Sequence, residues 1–382
     1  MRLLHRASPW RELFAGDSLP DTSHWPPLLA PLADALERLG PAPEPSAAKA
    51  WQVTLVEALL RLDLPAWRIS QLISDHNDRL YRQAITDSLN DMQGTGWGEP
   101  PVGFCVLVLG SGARHESLLG PDQDNAMIIE DYPDARYLEI DGYFQALGER
   151  FTARLDEAGI PLCNGHVMAR WPMWRKRLGE WCAQLRLWTA ERRVKRVQQS
   201  NILLDFAPVY GAGALAEALR DEVIGLMPHA GLFLDEMATL LDETPVALDR
   251  RGRVSGDDED APHERTINLK RQGLLPLTSA TRLLTMAHGG RGVDTRTRLA
   301  ELVGLGVLEA AHAHALIAAL GRLQAIILEA QLTSLAAGRA ADGWVDVDAL
   351  DEADHLLLRH DLQQIRALVK RAKAAPRGSR KL

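Results

Sequence analysis

Aromatic residues make up only 5% of this 382-residue chain, and cysteine occurs three times. Cys105, Cys163 and Cys182 form neither the even, regularly spaced set of a disulfide framework nor a metal-knuckle pattern. They read as ordinary small residues of a protein kept in a reducing cytoplasm. Long apolar runs are also scarce. No stretch of the sequence approaches the ~20 consecutive apolar residues that a membrane-spanning helix needs. The opening segment Met1–Pro9 breaks before a secretory apolar core can form. These features predict a cytoplasmic protein with no membrane partner. Excess positive charge is missing too: the net charge is −8, which argues against nucleic acid as the main partner. The basic residues that do cluster, Lys370, Arg371, Lys373, Arg377, Arg380 and Lys381, read as a frayed, solubilising terminus. An electrostatic handle for an acidic partner is the alternative.

What is present suits a globular protein with real cores, 46% hydrophobic and 25% charged. The length points to two or three units. Residues 1–48 are rich in proline and alanine, with a helix between Leu28 and Leu39 and a linker at Pro41–Pro45. Residues 48–92 show helical spacing, with Leu55, Leu59, Leu60 and Leu62 followed by Ile69, Leu72, Ile73, Leu80 and Ile85. Glycines and prolines at 94–103 close that region. Strands are predicted at 104–109, 124–130 and 201–206, and a helix at 142–158 with Phe144, Leu147, Phe151 and Leu155 on one face. A tryptophan-bearing helix follows, with Trp174, Leu178, Trp181, Leu185 and Trp188 on one face, a stripe that reads as core. From residue 213 helices dominate: a pair over 214–244, a stretch over 268–336 and a last helix over 346–373. The segment 249–265, with Arg250–Arg253 and Asp257–Asp260, reads as an exposed loop. The fold class is therefore α+β. The boundaries are a helical N-terminal region (1–95), a small mixed-sheet domain (96–212) and a C-terminal helical bundle (213–382).

The most informative segment is 105–129. An apolar run from Cys105 to Leu109 reaches Gly110-Ser111-Gly112, and Asp122 and Asp124 open the next apolar run. Side chains two apart on a strand point the same way, so both carboxylates project from one face at the strand mouth. Two carboxylates beside a turn rich in backbone N–H groups suit a divalent metal carrying a phosphate chain. The glycine turn is not a Walker A loop, has no third glycine of a dinucleotide fingerprint, and lacks the spacing of a nucleophile elbow.

In combination, Gly110, Ser111, Arg114, Glu116, Asp122, Gln123, Asp124, Asn125 and Ala126 resemble the DNA polymerase β-like nucleotidyltransferase superfamily. The closer likeness is to its bacterial family of the domain-of-unknown-function 294 type. Ala113, Ser117 and Pro121 depart from that family's signature. Further likeness lies in Cys163–Ala169 with Trp174 and Trp181, in Leu204-Asp205-Phe206 with Val209-Tyr210-Gly211, and in Ile267–Lys270, Gly273–Pro276 and Arg282-Leu283-Leu284. It spans roughly residues 55–340. The family's CBS and cyclic-nucleotide-binding domains are not recognisable. A more distant likeness is to the uridylyltransferase of bacterial nitrogen signalling. One departure bears on activity: Ala207 stands where the family usually has an arginine.

The resemblance implies transfer of NMP from a nucleoside triphosphate to a hydroxyl on a protein or small molecule, with Mg²⁺ or Mn²⁺ as cofactor. Asp122, Asp124 and Asp205 are the implied catalytic and metal-binding residues, Asp205 alternatively being a simple turn residue. Gly110, Ser111 and Gly112 would hold phosphates through backbone N–H groups and the Ser111 hydroxyl. Arg114 would pair with a phosphate or, equally, with Glu116. Asn125 would fix the loop beside the nucleotide. Lys270 and Arg282 face the nucleotide or else lie on a solvated helix face. His166 is a weaker candidate for the cleft lining, and His312 and His314 read as exposed. A homodimer is compatible with this reading. The alternative function is a nucleotide-binding sensor without catalysis.

Overall fold

The computed structural model describes residues 21–25, 27–39, 47–190, 202–256, 260–262 and 265–378. The predicted Pro41–Pro45 linker, the opening segment Met1–Pro9, and Asp257–Glu259, Arg380 and Lys381 lie outside the described residues. The fold is α+β: a helical N-terminal region, a small mixed sheet and a helical C-terminal region.

Of the described residues, one compact unit takes in Met1–Gln184 with Leu203–Asp221, and a second takes in Leu185–Ile202 with Glu222–Leu382. The first unit opens with helices α1 (Ala30–Leu39), α2 (Ala48–Arg61) and α3 (Ala66–Gly94). Leu55, Leu59, Ile69, Leu72, Ile73 and Ile85 are fully buried, as their helical spacing predicts. The helical region predicted over 48–92 is two helices, separated where Asp63, at φ 53, and Pro65 interrupt the chain. Along Ser74–Asp78, α3 buries a run of polar side chains.

The sheet has strand order β3-β2-β1-β4, with β1 Phe104–Leu109, β2 Asn125–Ile129, β3 Arg175–Arg177 and β4 Phe206–Gly211. Strand β1 pairs antiparallel with both β2 and β4, and β3 joins β2 in parallel, so the sheet is mixed. All residues of β1 and β2 are buried, which explains why both read as continuous apolar runs rather than alternating ones. A bulge between Val106 and Leu107 shifts the β1–β4 register. Between β1 and β2 the short helix α4 covers Gly110–Ala113.

Helix α5 (Tyr137–Glu157) begins five residues before the predicted start and packs on α3. Its Phe144 ring lies 5.2 Å from Phe104 of β1, and Phe144, Leu147, Phe151 and Leu155 are fully buried. Gly148 is required there: a Cβ would stand 3.0 Å from the Ala169 carbonyl oxygen. Helix α6 covers Leu178–Ala190. Trp181, Leu185 and Trp188 form its buried stripe. Trp174 instead belongs to the 3-10 turn Pro172–Trp174 ahead of β3, and its ring meets Trp181 at 6.3 Å. The Trp181 indole N–H donates to the Met127 carbonyl at 3.0 Å, anchoring α6 to β2.

The strand predicted over 201–206 is corrected. Residues 202 and 203 are helical, and β4 starts at Phe206, so Asp205 precedes its strand rather than ending one. Helix α7 (Gly213–Leu226) follows.

In the second unit α8 (Gly231–Leu240), α9 (Leu275–Ala287), α10 (Thr295–Gly304), α11 (Ala310–Ala336) and α12 (Glu352–Gly378) pack as a bundle, with α12 against α8, α9 and α11. The predicted stretch 268–336 divides into a π-helical turn (Lys270–Leu274) and α9, α10 and α11. A two-stranded ribbon of β5 (Thr266–Asn268) and β6 (Trp344–Asp346) closes across it. His312, expected exposed, is half-buried with its Nε2 3.1 Å from the Gln364 carbonyl oxygen. The expectation that no stretch could span a membrane is also corrected. Helix α11 is long and apolar enough by length and composition. Its Leu316, Leu320, Leu323, Ile327 and Leu328 are buried in the unit alongside Gln324 and Gln331, the pattern of a bundle's core helix.

Replacing Trp181 removes both its buried ring and its bond to β2. Trp181→Ala is expected to lower unfolding free energy by about 3–5 kcal/mol in urea titrations followed by circular dichroism. A loss under about 1 kcal/mol would contradict this packing.

Candidate active site

Backbone pairing builds the site. Because β1 runs antiparallel to both neighbours, the residues that lead into β2 and β4 lie at the C-terminal end of β1. The Leu109 N–H donates to the Asp124 carbonyl, and the next N–H, of Gly110, donates to the Asp205 carbonyl, both at 2.9 Å. Asp124 and Asp205 therefore stand on opposite sides of the point where β1 becomes α4. Gly110 takes the left-handed φ of 59° that this corner demands. Asp124 lies beside the corner: a Cβ on Gly110 would stand at ordinary contact distance, 3.6 Å, from its Oδ2.

Period-two alternation separates the residues of the Asp-Gln-Asp segment. Gln123 is fully buried and its amide donates to the carbonyls of Thr152 and Ile160, each at 2.8 Å. On the other face Asp122 is exposed and Asp124 half-buried. The loop over 161–167 runs alongside, with the Gln123 N–H donating to Pro161 and the Asn125 N–H to Val167. That loop delivers Cys163, so that one ligand atom each from Asp122, Asp124 and Cys163 lies within 4.8 Å of the others. Burial, reinforced by the two carboxylates, pushes the Cys163 thiol up to about 11. No spacing in the sequence marks Cys163 as a neighbour of the acids, because a long loop brings it there.

Asp205 is fully buried and does not belong to that three-atom group. Arg114 holds it: Nη1 lies 2.6 Å from Asp205 Oδ2, while Nε lies 2.8 Å from Glu116 Oε2. Burial works against the Arg114 charge, but the two carboxylates raise its pKa above the ordinary guanidinium value. Of the two readings open for Arg114 in the sequence, the pair with Glu116 is formed here, with Asp205 as a second partner. Both acids are thereby fixed in place.

Gly110, Ser111 and Gly112 form the first residues of α4 rather than a bare turn, and no side chain caps that helix. In such a first turn the backbone N–H groups have no intrahelical acceptor. Asn125 is fully buried: its Oδ1 accepts from the Ala169 N–H at 2.8 Å and its Nδ2 donates to the Tyr81 hydroxyl at 3.3 Å. Its side chain thus secures the loop over 161–169 and helix α3 to the mouth of β2. Burial, with nearby Asp124, Asp78 and Asp122 adding to it, raises the Tyr81 pKa. His166 is exposed, at φ 57°, with its ring edge-on to Trp171. Lys270 is an exposed residue of the second unit, at the start of its π-helical turn. Arg282, also in the second unit, is buried in α9 and so is not part of a solvated face.

Two oxygen-bearing acids beside an amide-rich corner can hold a hard divalent cation and an anionic chain together. Residues 52–195 match a family model described as "Putative nucleotidyltransferase DUF294". Residues 231–375 match one described as "Putative nucleotidyltransferase substrate binding domain". No curated protein matches the chain.

The Arg114–Asp205 pair carries a stability consequence. Arg114→Met would leave a buried carboxylate without its cation, an expected loss of about 3–5 kcal/mol in urea unfolding. Adding Asp205→Asn should restore a large part of it. If the double variant is no more stable than Arg114→Met, the two side chains are not coupled as described.

Proposed function

The chain belongs to the DUF294 nucleotidyltransferase family, and from that premise we propose that it moves NMP from a nucleoside triphosphate to a hydroxyl, on a protein or a small molecule, with the help of Mg²⁺ or Mn²⁺. The observation that carries this reading is the convergence of Asp122, Asp124 and Gly110 at the end of β1, with Asp205 on the far side of the same corner.

The donor set favours a hard cation. Asp122 and Asp124 supply carboxylate oxygens on the open side of the corner, the ligand type Mg²⁺ prefers. Cys163 does not suit that ion, since its raised pKa keeps it a neutral, soft thiol. Asp122 and Asp124 would hold the metal, and Asp205 is the proposed third carboxylate. A bound divalent ion would supply charge stabilisation to a triphosphate and acidify an acceptor hydroxyl.

The chain's own residues do the rest. With the Gly110 N–H taken by the Asp205 carbonyl, the Ser111 and Gly112 N–H groups and the Ser111 hydroxyl would be the donors to phosphate oxygens. Arg114 and Glu116 keep Asp205 oriented. Asp205 would complete the metal site or accept the proton of the acceptor hydroxyl. The C-terminal helices, matching a substrate-binding domain, would select the acceptor.

The test is transfer of label from the four α-³²P nucleoside triphosphates, with Mg²⁺, to a cell extract and to small hydroxyl acceptors. Wild type should transfer label, and Asp122→Ala/Asp124→Ala should fall by at least about 1,000-fold, on the scale of losing a group that acts in the transition state. Equal transfer by the variant would refute the assignment.

A second reading, nucleotide binding without transfer, draws on the tight Arg114–Asp205 pair and on Ala207 in β4. It predicts calorimetric binding of triphosphate with no pyrophosphate release, and any turnover excludes it.

A further inference from the structure

Helix α3 and the loop after α4 assemble a second group of ligand-type side chains. Asp75 and Asp78 lie three residues apart on α3, so both occupy one helical face. His115 follows α4 in the left-handed region at φ 54°, a conformation histidine tolerates better than most side chains. The loop is fastened to the helix next to this point, where the Ser117 N–H donates to the Ser74 Oγ at 3.1 Å. One ligand atom each from Asp75, Asp78 and His115 lies within 4.8 Å of the others.

Within this cluster the Asp75 carboxylate stands out. Asp75 is 2% exposed, and neither of its carboxylate oxygens accepts a hydrogen bond. Burying a carboxylate without such bonds is costly. Asp78, 8% exposed, adds a second carboxylate close by, and like charges at that range disfavour each other. His115 Nδ1 comes to 3.3 Å from Asp75 Oδ1. Two ligand atoms about 2.0–2.2 Å from a shared tetrahedral ion sit roughly 3.3–3.6 Å apart. The spacing thus fits atoms that share a metal.

We propose that Asp75, Asp78 and His115 form a binding site for a divalent transition metal of the Zn²⁺ type, separate from the Asp122–Asp124 pair. One imidazole nitrogen with two carboxylates suits Zn²⁺ and its neighbours, whereas Mg²⁺ selects oxygen ligands in octahedral geometry. Bound there, the ion ties α3 to the loop whose Arg114 and Glu116 flank His115. It acts as a positioning ion for the arginine that holds Asp205. Such a site is independent of whether the chain transfers a nucleotide.

The test uses the full chain, stripped with EDTA and dialysed against Zn²⁺ in excess Mg²⁺, with metal content read by mass spectrometry and melting temperature by calorimetry. Wild type should retain a single equivalent of zinc and melt higher with it. Asp122→Asn/Asp124→Asn/Cys163→Ala should retain it equally. His115→Ala and the isosteric Asp75→Asn should each weaken binding at least about 10-fold, the scale on which losing even an outer partner of a metal ligand acts, and lose the melting shift. The proposal is overturned if wild type holds no zinc. It is overturned equally if zinc survives both single substitutions, or departs with the Asp122, Asp124 and Cys163 set.

Discussion

Two consecutive backbone hydrogen bonds organise the first unit: Leu109 to the Asp124 carbonyl and Gly110 to the Asp205 carbonyl. They exist because β1 is a central strand with antiparallel partners on both sides. Main-chain pairing therefore decides where the acids stand, and the lengths of the intervening loops do not matter to it. A residue that leads into β2 and one that leads into β4 must meet the end of β1 from opposite sides. Gly110 is the corner between them, and its left-handed backbone lets the chain turn into α4 while Asp124 lies against it.

The three acids at this corner are not equivalent. Asp205 is fully enclosed and neutralised from within by Arg114, whereas Asp122 stands in solvent and Asp124 lies between these extremes. Low dielectric makes the buried pair strong and its rupture costly. Asp122 and Asp124, on the open side of the corner, are the proposed place for an external cation. Around them the shell is rigid. Gln123 is locked by two carbonyls, and Asn125 bridges Ala169 and Tyr81. Local order at the β2 mouth thus comes from amides that point away from the solvent-facing acids.

Much of this was legible in the sequence because it is local. The run Phe104–Leu109 is apolar throughout and bounded by glycine, so β1 could be read to the residue. The same held for the buried face of α5 and for the α+β class. What escaped depends on contacts distant in sequence. Strand β3 is Arg175-Lys176-Arg177, three cationic residues that are a strand only because β2 offers an edge. Ribbon strands β5 and β6 are three residues each and exist as a pair. Trp174 fitted a helical stripe by spacing, yet Pro172 starts a 3-10 turn there. The apolar Ile202-Leu203-Leu204 puts Asp205 at a strand end by pattern, yet that stretch is a helix end and turn. Cys163 beside the acids, and His115 beside Asp75, could not be seen in any spacing, since folding alone brings them together.

The central claim, that Asp122 and Asp124 grip a divalent metal next to a triphosphate, is tested most directly by Mn²⁺ titration followed by electron paramagnetic resonance, with and without a non-hydrolysable nucleoside triphosphate. The account predicts that the nucleotide tightens Mn²⁺ binding and that Asp122→Asn/Asp124→Asn abolishes this coupling while the fold persists by circular dichroism. Mn²⁺ affinity and its nucleotide dependence unchanged in that variant would contradict it.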